Sequence, residues 1–393
     1  MRVAMSRHGV TGRPFVVERL YTAAVRTTSP VALAVVALAL LSHVSRSAGA
    51  LAAQSPDAPR PSFSEWLSGV RAEALSRGIR EDIVDAALAT VSEPLPIVIE
   101  RDRAQAEVVT PFEKYIAQRL TATVLKAGLE MQTRHGDLLA EVSARYGVPP
   151  GIILGVWGLE SNFGRFSGVR PTVPALATLA WDPRRSAFFR GELFSALEIL
   201  NRGDTDLAHL RGSWAGAMGQ AQFMPSSYLQ FAEDFDGDGR KDIWETPGDV
   251  FASIANYLRG HGWVAESTWG REVRVTPDVA RRVASDVGRR NGSCQATRDM
   301  TVALPMIRWQ ELGVRLPAGK ALPGADPDAS LVSGTTRHFL VYGNYDALLG
   351  YNCAHAYAVS VALLADALER DGTLVPATVS PERRRVRRPV ARR

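Results

Sequence analysis

One segment that is apolar on every side constrains the fold of this 393-residue chain more than any other. Residues 149–160 read PPGIILGVWGLE, and proline in the first turn is typical of the start of a helix. A helix that lacks a polar face has to lie inside the protein. We therefore predict a buried helix that ends in a single carboxylate, Glu160.

The surroundings of Glu160 favour a carboxyl group that keeps its proton. Val156 and Trp157 lie one turn before it and can exclude water from the carboxylate, and the negative end of the helix dipole disfavours the ionised form. Both effects should raise the pKa of Glu160. An acid that stays protonated near neutral pH can protonate a glycosidic oxygen, although this segment is also compatible with an ordinary glutamate that reaches solvent at a helix end.

The rest of the chain has mostly helical periodicity. Apolar residues at three-and-four spacing run from residue 63 to about 262, including one long run over 111–134. Short strand-like segments follow at 272–275, 299–302 and 337–342, and helix returns over 355–370. We predict a mainly α (α+β) domain over 63–370, with a helical body to about 262, a small β-containing lobe over about 263–345, and a closing helix over 355–370.

Both ends of the chain are strongly basic. Residues 1–52 carry a net charge of +5 and residues 381–393 carry +6, so the segment between them is acidic, which argues against nucleic-acid binding. Residues 1–53 have the order of a signal peptide, followed by a linker over 54–62, and residues 371–393 form a basic tail that we expect to be disordered. Two alternatives stay open: an uncleaved membrane anchor, and a tail that adheres to anionic envelope polymers.

A glycine-rich segment follows about fifty residues after Glu160. Residues 212–228 read GSWAGAMGQAQFMPSSY. Glycines with small neighbours let a bulky ligand approach the backbone, and Ser213 and Gln222 offer hydrogen bonds suited to an amido sugar. So many specific residue types in one stretch are hard to explain as packing.

With these segments, the sequence resembles the lytic murein transglycosylases of the B type, glycoside hydrolase family 103, over residues 63–368. Further matching segments are WDPRR at 181–185, the acidic loop after residue 228, ANYL at 255–258 and YNCAHAY at 351–357. The resemblance implies a goose-lysozyme-like helical catalytic core with Glu160 as the catalytic acid and base. It also implies a saccharide groove lined by Ser213, Gln222, Tyr257, Tyr351, Asn352 and Tyr357, with Arg184 and Arg185 nearby. The alternative for the two arginines is a surface pair at the start of a helix.

The resemblance implies cleavage of the β-1,4 bond between N-acetylmuramic acid and N-acetylglucosamine in peptidoglycan, with formation of a 1,6-anhydromuramyl end. A two-carboxylate glycosidase needs a second Asp or Glu across the sugar, and none stands out in the matching segments. In the implied mechanism Glu160 protonates the bond, the substrate's acetamido oxygen stabilises the cationic centre, and Glu160 then takes the proton of the muramic 6-hydroxyl. No organic cofactor is expected.

Two other functions remain open on the same scaffold. A hydrolytic muramidase would let water attack in place of the 6-hydroxyl, and a non-catalytic peptidoglycan-binding protein would not need the acid, so the presence of Glu160 argues against it. The expected partners are peptidoglycan strands and cell-envelope assembly proteins. The expected location is the periplasm, with membrane attachment only if the signal segment stays uncleaved.

A second motif, DFDGDGRKDIWE at 234–245, has the spacing of a calcium-binding loop. The spacing assigns side-chain oxygens of Asp234, Asp236 and Asp238, the backbone carbonyl of Arg240 and the carboxylate of Glu245. The resembling family closes an EF-hand-like loop with a later aspartate, here Asp249, so the closing ligand stays open. Ca²⁺ would be structural, because the loop supplies no acid to the sugar; the alternative is a solvated acidic turn.

The chain has two cysteines, Cys294 and Cys353, and neither has the spacing of a metal site. An even pair in an oxidising compartment predicts one long-range disulfide.

Overall fold

The computed structural model describes residues 61–104 and 110–370, which belong to one compact unit. The predicted signal peptide, nearly all of the predicted linker and the basic tail lie outside the described residues.

Helices make up most of the described chain, and the mainly helical fold that the sequence predicts is confirmed. The helices are α1 (Phe63–Ser76), α2 (Glu81–Leu88), α3 (Pro96–Arg103), α4 (Phe112–Arg119), α5 (Ala122–Arg134), α6 (Gly136–Tyr146), α7 (Pro150–Ser161), α8 (Thr172–Trp181), α9 (Ser186–Arg202), α10 (Pro225–Phe231), α11 (Pro247–Gly260), α12 (Pro277–Asp286), α13 (Gln295–Asp299), α14 (Met306–Leu312), α15 (Gly343–Tyr351) and α16 (His355–Glu369). The strands are β1 (Arg170–Pro171), β2 (Arg211–Gly212), β3 (Gly270–Val273), β4 (Ser330–Ser333) and β5 (His338–Val341).

Helix α7, the apolar segment, lies inside the larger core, where α5, α6, α11 and α16 pack around it. A Cβ added at Gly155 would lie 2.7 Å from the carbonyl oxygen of Val361, and one at Gly151 would lie 3.1 Å from that of Ala365. Because glycine has no Cβ, the backbones of α7 and α16 can approach this closely. The two contacts show that the helices run antiparallel, and this pairing brings Tyr357, near the start of α16, to the last turn of α7.

The predicted helical run over 111–134 is interrupted. Helix α4 ends at Arg119 and α5 begins at Ala122, where the hydroxyl of Thr121 accepts a hydrogen bond from the backbone N–H of Val124 at 3.3 Å. A threonine that caps the first turn in this way starts a new helix, so the run consists of two helices.

Two small antiparallel sheets complete the described fold. In the first, Arg170 pairs with Gly212 and Pro171 with Arg211, which holds the segment after α7 beside the start of the glycine-rich segment. In the second, β5 lies between β3 and β4. This sheet packs with α12 and α14 around a smaller core that contains Val283, Trp309 and Leu340.

The predicted strand over 299–302 is wrong. Thr301 forms only an isolated bridge with Arg289, and its hydroxyl accepts a hydrogen bond from the backbone N–H of Leu331 at 2.8 Å. The Thr301 side chain therefore makes one of the hydrogen bonds that the backbone of a paired strand would make. The strand that does pair there, β4, was missed, because three of its four residues are buried and it lacks the alternation of a half-exposed strand.

The predicted disulfide is confirmed: Cys294 and Cys353 are bonded. The bond joins the residue before α13 to the turn between α15 and α16. Over the described ranges, no single helix is long and apolar enough to cross a membrane, although α15 and α16 together, bent by 115°, pass that test on length and composition alone.

Candidate active site

Glu160 lies in the last turn of α7 with its side chain half-buried. Burial raises the pKa of Glu160 to about 7, while the hydroxyl of Tyr357 and the charge of Arg119 act in the opposite direction. The expectation of a raised pKa is therefore met, and burial is its main cause, as the apolar helix indicated. Near neutral pH this carboxyl group is close to equally divided between its two protonation states.

Three tyrosines surround Glu160. Burial and the nearby charge of Glu160 raise the pKa of Tyr257 to about 12, and raise the pKa values of Tyr351 and Tyr357 well above the ordinary value. The Tyr257 and Tyr351 rings lie 4.6 Å apart between centroids, and their hydroxyls donate to the backbone carbonyls of Gly350 and Ala221, each at 2.7 Å. The buried Tyr357 hydroxyl makes no hydrogen bond to any described residue, and its interaction with the Glu160 carboxyl group shifts the pKa values of both side chains.

Ser213 and Gln222 shape the glycine-rich segment. The Ser213 hydroxyl accepts hydrogen bonds from the backbone N–H groups of Ala215 and Ala217, and the Gln222 amide donates to the carbonyl of Gly219 at 2.8 Å. Within the described ranges, the Ser213 hydroxyl proton and the Gln222 side-chain oxygen make no hydrogen bond, so both can meet a ligand.

The backbone around these residues is strained. Among the described residues four non-glycine residues have a positive φ, and three of them, Asn162, Phe163 and Gln222, lie directly after Glu160 or in the glycine-rich segment. Such conformations cost free energy and concentrate at ligand-binding sites.

The remaining predicted groove residues differ in their surroundings. Asn352 is half-buried, and its side-chain amide makes no hydrogen bond to any described residue. Arg184 and Arg185 both form ion pairs with Asp102, a buried residue of α3. Within the described ranges, no hydrogen bond, ion pair or ring contact joins either arginine to Glu160 or to the three tyrosines.

Two residues of α4 reach this site although no sequence motif indicated them. Arg119 lowers the pKa of Glu160 through its charge, and its guanidinium carbon lies 5.3 Å from the centre of the Tyr115 ring. Helix α4 packs against α16, and Tyr115 is one of the groups that raise the pKa of Tyr357. The one available signal was the four-residue spacing, which places both side chains on one face of α4.

The acidic loop forms a separate cluster. Single ligand oxygens of Asp234, Asp236 and Asp249 lie within 4.8 Å of one another. Asp249 is buried in the first turn of α11, and both of its carboxylate oxygens accept backbone hydrogen bonds, from Phe235 at 2.8 Å and from Asp242 at 2.7 Å. Three carboxylates this close fit a divalent cation.

The other predicted loop ligands lie outside that cluster. Asp238 is exposed and accepts a hydrogen bond from the backbone N–H of Arg240 at 2.8 Å, while Glu245 is exposed. Of the two candidates for closing the loop, the cluster therefore contains Asp249 and leaves out Glu245.

Comparisons with known proteins agree with this geometry. The sequence profile of the family described as Transglycosylase SLT domain matches residues 62–366. Membrane-bound lytic murein transglycosylase B of Escherichia coli (strain K12) is 43% identical over 152 residues, which are 38% of this chain and only 42% of that protein.

Two solved structures are similar over most of the chain. SltB3 from Pseudomonas aeruginosa, in complex with NAG-anhNAM-pentapeptide, is 39% identical with a TM-score of 0.71 and covers 81% of this chain and 82% of its own. The Escherichia coli lytic transglycosylase Slt35, in complex with calcium, is 28% identical with a TM-score of 0.64 and covers 80% and 95%. The chain therefore belongs to the Transglycosylase SLT domain family and is similar to lytic murein transglycosylase B, which confirms the family predicted from the sequence.

Proposed function

We propose that this protein is a lytic transglycosylase of peptidoglycan, which cleaves the β-1,4 bond between N-acetylmuramic acid and N-acetylglucosamine and leaves a 1,6-anhydromuramyl end. The observation that carries the proposal is one half-buried carboxyl group with a pKa of about 7, surrounded by three tyrosines. The Pseudomonas aeruginosa relative was solved with a fragment that contains an anhydro sugar, which supports this product.

In the proposed reaction, the protonated Glu160 donates its proton to the glycosidic oxygen as the bond to the muramic C1 breaks. The acetamido oxygen of the substrate stabilises the cationic C1. The Glu160 carboxylate then accepts the proton of the muramic 6-hydroxyl as its oxygen bonds to C1, so that the acid is regenerated and no water is consumed. The hydroxyl of Tyr357 stabilises the ionised state of Glu160 between these steps, because it lowers the pKa of Glu160.

The neighbours of Glu160 support a mechanism with one carboxylate. In the described part of the chain, the groups that act on its pKa are a tyrosine hydroxyl and an arginine, and no second carboxylate is among them. An enzyme with two catalytic carboxylates would place the second one across the sugar, within roughly 5–10 Å of the first. The proposed binding roles are hydrogen bonds from Ser213, Gln222 and Asn352 to the acetamido sugars, and contacts of the tyrosine rings with the sugar faces.

Mass spectrometry of the muropeptides released from purified peptidoglycan tests this reaction. We expect anhydromuramyl products from the wild type and none from Glu160→Gln. Products heavier by one water would instead identify a hydrolytic muramidase. A lack of products from both proteins, together with retained binding to peptidoglycan, would indicate a binding protein.

We also propose that the acidic loop holds one structural Ca²⁺. Asp234, Asp236 and Asp249 would bind it, together with Asp238 and the backbone carbonyl of Arg240, and Asp249 is favoured over Glu245 because it belongs to the observed cluster. The ion would tie the loop to the first turn of α11, the helix that carries Tyr257. The related Slt35 was solved in complex with calcium.

The proposed location is the periplasm. A disulfide between Cys294 and Cys353 supports an oxidising compartment, and peptidoglycan strands are the proposed partner. Binding to envelope assembly proteins and attachment to the membrane remain predictions from the sequence.

A further inference from the structure

A cavity of about 550 Å³ opens beside the glycine-rich segment. Its wall includes Ser167, Asp204, Asp206, His209, Arg240 and Trp244. A second cavity of about 430 Å³ adjoins it and shares Asp204, Asp206 and Arg240 with it. We call the two together the side cavity.

The side cavity lies next to the predicted saccharide groove. Ser167 belongs to the segment that follows Glu160, and its carbonyl accepts a hydrogen bond from the amide of Gln222 at 3.5 Å. Arg211, which also lines the cavity, lies two residues before Ser213 and pairs with Pro171 in the first sheet. The side cavity and the predicted groove therefore meet at Ser167, the residue that contacts Gln222.

Most charged side chains that line the side cavity already have partners within the protein. Asp206 pairs with His209 at 2.8 Å, and the Arg211 guanidinium donates to the backbone carbonyls of Ala208 and Val169. These groups hold the wall of the cavity in shape and are poorly placed to bind a charged ligand as well.

Three charged groups are left over. Over the described ranges, the half-buried carboxylate of Asp204, the exposed carboxylate of Glu245 and the exposed guanidinium of Arg240 make no hydrogen bond or ion pair. Lys241 and Arg202 act on Asp204 only through space. A partly desolvated carboxylate without a partner is unfavourable until a cation meets it. A carboxylate and a guanidinium facing one cavity complement a ligand that carries both an ammonium group and a carboxylate.

We propose that the side cavity binds the peptide stem of the peptidoglycan strand, with a carboxylate of the stem at Arg240 and the free amine of its diamino acid at Asp204. The inference rests on the proposed function, because the stem is attached to the muramic acid that would lie in the groove. The fragment bound by the related SltB3 carries a pentapeptide. Trp244, whose indole N–H donates to the Arg211 carbonyl at 2.9 Å, supplies an apolar wall for the peptide backbone.

Titration of the calcium-loaded full chain with the tripeptide L-Ala-γ-D-Glu-meso-diaminopimelate tests the inference without any turnover. We expect the double variant Asp204→Asn, Arg240→Gln to bind the tripeptide at least about tenfold more weakly than the wild type, since two charge-assisted hydrogen bonds are lost. The exposed pair Asp278 and Arg281 of α12 provides a control with the same charge changes, Asp278→Asn and Arg281→Gln. Equal affinity of the double variant and the wild type, or no binding by the wild type, would overturn the assignment.

Turnover separates this inference from the proposed function. We compare kcat/KM on glycan strands that carry stems with kcat/KM on strands from which an amidase has removed them, and expect the ratio to fall about tenfold in the double variant. If the wild type is active and the ratio of the two kcat/KM values is the same in the wild type and in the double variant, the side cavity is not the stem site. A wild type that cleaves neither substrate refutes the proposed function, and the tripeptide titration alone then decides on the cavity. The calcium-dependent rise in Tm should persist in Arg240→Gln, because only the backbone carbonyl of that residue is a proposed ligand.

Discussion

Glu160 and Asp249 are both carboxyl groups whose pKa burial raises, to about 7 and about 6, yet their surroundings differ in almost every other respect. Glu160 stands in the last turn of α7, where the helix dipole disfavours a negative charge, and its polar neighbours are hydroxyl groups and one arginine. Asp249 stands in the first turn of α11, accepts two backbone hydrogen bonds, and has Asp234 and Asp236 beside it.

The contrast shows that burial alone does not assign a role to a carboxyl group. Asp249 already uses both oxygens to bind the backbone, and the two neighbouring carboxylates repel its charge, so a divalent cation is the partner that relieves the arrangement. Among the described residues, the groups that act on the pKa of Glu160 are a tyrosine hydroxyl and an arginine and not a carboxylate, so its proton can leave and return. Neighbouring groups thus suit one carboxyl group to bind a metal ion and the other to transfer a proton, the roles proposed for them.

The largest effect is expected from Glu160→Gln, which keeps the shape of the side chain and removes its proton. We expect the rate of product formation to fall roughly 10³-fold or more, with an unchanged circular dichroism spectrum and a Tm no lower than that of the wild type. Glu141→Gln, at an exposed position of α6, is the matched control and should remain fully active. A Glu160→Gln variant with substantial activity would remove the distinction drawn between the two carboxyl groups.

Asp249→Asn should abolish the response to calcium without removing the acid. At a Ca²⁺ concentration of about 100 times Kd, binding stabilises the fold by about 2.7 kcal/mol, which corresponds to a rise in Tm of about 5 °C. We expect this rise in the chelator-treated wild type and in Glu245→Gln, and its loss in Asp249→Asn, by differential scanning calorimetry. If Glu245→Gln loses the response and Asp249→Asn keeps it, the loop is closed by Glu245.

The pH dependence of turnover should report the pKa of Glu160. Because the protonated form is the reactant and the pKa in the free protein is about 7, kcat/KM should fall roughly tenfold between pH 6 and pH 8. The raised pKa of Glu160 also makes the free energy of unfolding depend on pH, because the folded state disfavours the ionised carboxylate. The free energy of unfolding is greatest below the ordinary pKa of a glutamate and is lost as the pH rises through about 7. The Tm of the wild type should therefore fall relative to that of Glu160→Gln as the pH rises from the ordinary pKa of a glutamate to about 7. Parallel curves of Tm against pH would contradict a raised pKa for Glu160.

The smallest effect concerns Arg119. Its charge lowers the pKa of Glu160, so Arg119→Gln should raise that pKa and move the alkaline limb of the pH profile to higher pH. Lys114→Gln, an exposed charge change on the same helix, should leave the limb in place. A limb that is unchanged in Arg119→Gln would show that the guanidinium does not act on the acid.

The sequence was informative where one segment determined the structure and less so where distant segments meet. The apolar pattern of 149–160 was sufficient to predict a buried helix and a raised pKa for Glu160, because both follow from local burial. Nothing in the sequence around Arg119 indicated that α4 would pack against α16 beside the acid, and β4 lacked the alternation that identifies a strand. The ion pairs that Arg184 and Arg185 form with Asp102 also depend on a contact between α3 and the segment before α9, which no local pattern encodes.

The close contact between α7 and α16 has a consequence for how such an enzyme can diverge. At Gly151 and Gly155 the spacing of the two helices is set by main-chain atoms, so the distance from Glu160 to Tyr357 does not depend on which apolar residues fill the neighbouring core. Mutations can accumulate in that core over evolutionary time while the acid and its hydroxyl partner keep their separation. Two residues without side chains thus let the surrounding sequence drift, and they themselves should be among the least replaceable positions in the chain.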